Sequence, residues 1–222
     1  YANIISYIPI NKRNQIRISG LNRNTDNQTA VMNDTTKILE NTALTNNEIM
    51  GTYSYFGKRN QLIFSFSKIK MDYGIPGSLE GHIDGVDIKM SKRSFRINFH
   101  QDISFLDFKR LDVDQRYILY SHSEYENNND YATVSLGQNI YSFQSMLSND
   151  KVKLGSMFQY RDYRAGGFYW TPDTKEFRTS LFGLYEKKIK KTTVQLSSRL
   201  ENLILKPETS FLFTSNIDKN EV

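Results

Sequence analysis

Lys151-Val152-Lys153-Leu154-Gly155-Ser156-Met157-Phe158-Gln159-Tyr160-Arg161-Asp162-Tyr163 is the stretch that decides the fold class. Val152, Leu154, Phe158 and Tyr160 share one parity, and Lys153, Gln159 and Arg161 share the other. A strand sends these two sets to opposite faces, one oily and one charged. The same period of two returns in Thr193–Leu205, where Val194, Leu196, Leu200 and Ile204 alternate with Gln195, Arg199 and Glu201. It returns again where Phe95, Ile97 and Phe99 alternate with Arg96, Asn98 and His100. Helical periodicity is sparse. In its best window, Thr29–Thr45, the apolar positions Val31, Ile38, Leu39 and Leu44 form no sustained stripe, so a long loop with at most a turn of helix is expected there.

The breaks between these segments alternate in length. Short polar breaks fall at Asn11–Asn14, Gly57–Asn60, near Gln101–Ser104, at Ser148–Lys151 and at Lys187–Lys191. Long ones fall at Asn24–Asn46, Tyr73–Gly85, Tyr125–Asp130, Arg164–Thr174 and from Lys206 onward. About ten antiparallel strands follow, with tight turns at one end and long loops at the other. The expected fold is all-β: an antiparallel transmembrane β-barrel segment with short periplasmic turns and long extracellular loops, occupying residues 1–222 as one partial barrel domain. A soluble all-β sandwich or barrel would alternate in the same way. Two features favour the membrane: an apolar face rich in the 14 Tyr and 14 Phe, and strands longer than the five or six residues usual in globular sheets.

Composition excludes several classes. With 29 Lys+Arg against 24 Asp+Glu, the 222-residue chain is mildly basic, and it has no cysteine, hence no disulfide, thiolate metal site or thiol nucleophile. Its longest unbroken apolar run, Tyr117–Tyr120, is far short of a membrane-spanning helix. No G-x-S-x-G, P-loop, dinucleotide fingerprint or H-E-x-x-H occurs, so neither an enzyme nor a cofactor is expected.

Lys70-Met71-Asp72-Tyr73-Gly74-Ile75-Pro76-Gly77 resembles the D-Y-G-[IV]-P-G strand end of the TonB-dependent outer-membrane receptors. The likeness continues in order through Gly85–Met90 with Arg93–Arg96, then Leu154–Tyr163, then Phe168–Pro172 with Thr179–Glu186, and finally Gln195–Glu201. The resemblance implies the middle of a receptor barrel, with the plug domain and C-terminal strands absent. It further implies an outer-membrane location in a Gram-negative cell, contact with outer-membrane lipid, and coupling to the TonB system through the missing plug. Import of a scarce nutrient, most plausibly a metal chelate such as a siderophore or a metal ion, would follow. Two alternatives stay open: a passive porin-like or structural outer-membrane barrel, and a soluble all-β adhesin or binding domain.

Chemistry-bearing residues are few. Glu80, His82 and Asp84, with Asp87 nearby, place carboxylates around one imidazole in the Tyr73–Gly85 loop, a low-count metal-ligand candidate set beside the plainer reading of an exposed polar loop. Asp72, Tyr73, Gly74, Ile75, Pro76 and Gly77 offer no reacting group and read as a structural turn. His100 and His122 are expected to be ordinary polar-face residues, with no second histidine or carboxylate at ligand spacing. The Glu186–Lys191 run and the two short basic breaks fall at turns, where solvation or anionic headgroups suffice, so no nucleic-acid partner is expected. Phe168-Tyr169-Trp170 reads as an interfacial girdle or a ligand-stacking surface.

Overall fold

Period-two patterning becomes strand nearly everywhere. The structure, a computed structural model, describes residues 1–32, 35–78, 82–126, 130–167 and 172–208. Twelve strands follow in order: β1 (Ala2–Asn11), β2 (Asn14–Thr25), β3 (Gln28–Met32), β4 (Thr35–Leu39), β5 (Leu44–Phe56) and β6 (Asn60–Ile75). The rest are β7 (Val86–Phe105), β8 (Phe108–Glu126), β9 (Val134–Ser148), β10 (Val152–Gly167), β11 (Thr174–Ile189) and β12 (Thr192–Pro207). Ten of them form a single antiparallel meander in the order β1-β2-β5-β6-β7-β8-β9-β10-β11-β12. β1 and β12 are edge strands, each pairing on one side only among the described residues.

Two sequence expectations change. The Thr29–Thr45 window holds the β3–β4 hairpin, with Thr29 opposite Ile38 and Val31 opposite Thr36, instead of a loop with helical character. Its β-branched Thr, Val and Ile residues lose rotamer freedom in a helix and fit a pleated strand. The β7–β8 turn is Leu106–Asp107, beyond the expected Gln101–Ser104, because β7 passes through a register shift between Asp102 and Phe105 before turning. Leu106 and Asp107 have φ of 45° and 71°, as a two-residue hairpin matched to strand twist requires.

Two of the other tight turns are closed by side chains. Asn11 Oδ1 accepts from the amides of Arg13 (2.9 Å) and Asn14 (3.0 Å). Asn149 Oδ1 accepts in the same way from Lys151 (2.9 Å) and Val152 (2.7 Å). These Asx-type bonds satisfy backbone donors that no ladder reaches. The meander therefore sorts all five tight turns to one end of the sheet and the longer connections to the other.

Directly opposed residues in antiparallel strands point to the same side, so the register defines each face row by row. Leu154, Phe158 and Tyr160 share a face with Leu181, Tyr185, Leu196 and Leu200, whereas Lys153, Arg161, Gln195, Arg199 and Glu201 lie on the other. The oily side is uncovered: Leu181, Leu196 and Leu200 are 63%, 65% and 73% exposed. The buried hydrophobics among the described residues are Val86 and Ile88, on the polar side at the long-loop end. This sheet thus leaves its apolar face exposed.

Candidate functional site

On the apolar face, one register row crosses six adjacent strands as Phe66, Phe95, Tyr117, Tyr141, Tyr160 and Phe177. The rings at its two ends touch in pairs: Phe66 and Phe95 lie 5.1 Å apart between centroids, and Tyr160 and Phe177 4.9 Å. Such pairs add about 0.5–1.5 kcal/mol each beyond their buried area. One row closer to the long loops, the same face carries Lys68, Arg93, Leu119, Asn139, Asp162 and Lys175. On the turn side of the aromatic row, β10 presents Phe158, Leu154 and Val152. From Val152 to Tyr160 this band runs about 26 Å along the strand, which at a tilt of about 40° spans about 20 Å of the roughly 25 Å height of a barrel's apolar belt. The aromatic row marks the height at which an oily surface becomes charged.

The opposite face is polar, and many of its charges are paired. Near the tight turns Arg96 Nε lies 2.6 Å from Asp114 Oδ2, which Asn98 also contacts, and Arg110 Nε meets Asp112 Oδ2 at 2.8 Å. His100 sits between two carboxylates, with Nδ1 at 3.1 Å from Asp112 and Nε2 at 3.2 Å from Asp102. His122 Nε2 lies 2.9 Å from Glu124. The expectation that neither histidine has a carboxylate at ligand spacing is therefore corrected. Positions i and i+2 on a strand share a face, which brings Asp102 and Glu124, and cross-strand register brings Asp112 opposite His100. Toward the long loops Glu176, 3% exposed, is held between Arg161 Nη2 at 2.5 Å and Arg178 Nη2 at 3.4 Å.

At the long-loop end His82 Nδ1 lies 3.2 Å from Glu126, a partner that sequence spacing did not suggest. Asp84 is exposed and Glu80 lies outside the described residues, as does Phe168-Tyr169-Trp170. Among the described residues no group of three or more His, Asp or Glu side chains is gathered to hold a metal ion.

The Asp72–Gly77 segment has a structural explanation. Asn41, itself at φ 55°, sends Nδ2 to the carbonyls of Ile75 (3.0 Å) and Val86 (3.2 Å), tying the connection after β4 to the outer end of the β6–β7 pair. A Cβ on Gly74 would stand 2.2 Å from Asn41 Oδ1. Gly85 has φ +82°, and its Cβ would stand 2.5 Å from the Ile75 carbonyl. Gly85→Ala is accordingly expected to cost about 2 kcal/mol, combining left-handed strain with backbone collision. The check is denaturant unfolding together with faster amide exchange at Gly74 and Gly85, whose N–H groups bond Ala43 and His82 carbonyls. Unchanged stability and exchange would contradict the docking.

No protein-family model and no curated protein sequence matches this chain.

Proposed function

We propose that this chain forms part of the wall of a transmembrane β-barrel in a Gram-negative outer membrane. Its parent would be a TonB-dependent receptor importing a scarce nutrient, a metal chelate or a metal ion. The observation that carries the membrane reading is the six-strand aromatic row at the edge of an exposed apolar band. Tyr and Phe collect where hydrocarbon meets headgroups, with an apolar belt below and charge above. Lipid leaves no partner for free backbone groups, so the edges of β1 and β12 would pair with further strands until the sheet closes. The ion-paired opposite face suits a barrel interior. The receptor reading rests on the five ordered sequence segments, and transport belongs to the parent protein. No residue is assigned a catalytic role.

The experiment is cysteine labelling on intact cells, aided by the natural absence of cysteine. A membrane-impermeant maleimide is expected to label His82→Cys, at the long-loop end, and to spare Lys58→Cys, in a tight turn, until the cells are opened. Labelling of Lys58→Cys with protection of His82→Cys would reverse the orientation, and equal labelling of both would remove the barrel reading.

A further inference from the structure

On the polar face, above the Arg96–Asp114 pair, β5, β6, β7 and β8 border an open groove of about 350 Å³ that is rich in donors. Along β7, Lys92, Ser94 and Arg96 follow one another at every second residue and therefore on the same side. Ser67 on β6 stands opposite Ser94, their hydroxyls 2.7 Å apart, and Arg116 on β8 stands opposite Arg96. Two hydroxyls thus lie between an ammonium on one side and two guanidinium groups on the other.

The charge balance of this groove is uneven. Arg96 is neutralised by Asp114, but Lys92 and Arg116 have no ion-pair partner among the described residues. No carboxylate lines the groove, and the acidic residue in the Lys92 row, Glu48, stands two strands away. Arg116 stands directly opposite Arg96, whose charge Asp114 already balances, so the uncompensated charge of the groove resides on Lys92 and Arg116. We infer that the groove is a binding site for a small tetrahedral oxyanion of the phosphate or sulfate class. Lys92 and Arg116 supply its charge, and whichever of Ser67 and Ser94 accepts the hydrogen bond between them supplies a hydroxyl donor. Guanidinium and ammonium donors to an anionic oxygen form the stronger kind of hydrogen bond. The inference concerns the polar face alone and stands whether or not the other face meets lipid.

The test uses the full chain folded in detergent micelles, titrated calorimetrically with inorganic phosphate while chloride holds the ionic strength constant. Saturable binding at one site is expected. Arg116→Gln and Lys92→Gln should each weaken it by about tenfold or more, the worth of one hydrogen bond to a charged group. Lys153→Gln, on the same face in β10, should leave it unchanged. Far-UV circular dichroism verifies that each variant keeps its β signal. Ser94→Ala removes one hydroxyl and no charge, so the expected weakening of a few-fold keeps the site testable if a charge variant does not fold. Absence of saturable binding, or equal loss in Lys153→Gln and Arg116→Gln, would overturn the site.

Discussion

Leu181→Arg is expected to destabilise the folded protein by about 2–4 kcal/mol in micelles or bilayers, the cost of an arginine facing lipid near mid-membrane. Leu181 is 63% exposed in the isolated sheet. Were that exposure to water, the same replacement would stay within about 0.5 kcal/mol, as surface changes usually do. Gln195→Arg on the polar face supplies the control and should be mild. Equilibrium unfolding of the three proteins decides the matter: a small change at Leu181 would mean that the apolar face meets water or another protein surface.

Removing Glu176 is the second large effect. Its carboxylate is buried against Arg161 and Arg178, whose side chains remain about one-third exposed. Glu176→Ala strips Arg161 of its counter-charge and leaves Arg178 only the more distant Glu201, 3.8 Å away; breaking such a buried pair costs roughly 3 kcal/mol. Arg178→Gln should cost less, since Arg161 still holds the carboxylate. The comparison is again made by unfolding, and a Glu176→Ala change below about 1 kcal/mol would show that this cluster does not secure β10 to β11.

The two faces were legible in the sequence because strand periodicity is local: the alternation in Lys151–Tyr163 is enough to separate Phe158 from Gln159. The alternation of short and long breaks likewise gave the meander, since tight turns join only antiparallel neighbours. Features that depend on register were not legible. Nothing near Phe66 tells that it will align with Phe95, Tyr117 and Tyr141, and the aromatic row exists only once five pairings are fixed. The same holds for Asp112 against His100 and for Glu126 against His82. Asp102 and Glu124, by contrast, could have been found from the i, i+2 rule once β7 and β8 were recognised as strands. Asn41 gave no signal, because its role depends on a loop docking against two distant carbonyls. The β3–β4 hairpin was obscured by its length: five residues per strand, two of them large and apolar in each, hardly register as a pattern.

The claim that one face of this sheet lies against lipid is tested most directly by tryptophan scanning of β9 in bilayers containing brominated acyl chains. With the single native Trp170 replaced by Phe, one tryptophan at a time is placed at Tyr141, Ser142, Phe143, Gln144, Met146 and Leu147. The expected result is alternation: blue-shifted, strongly quenched emission at 141, 143 and 147, and weak quenching at 142, 144 and 146, which share the polar face. Uniformly weak quenching, or quenching without the period of two, would contradict a membrane-embedded sheet.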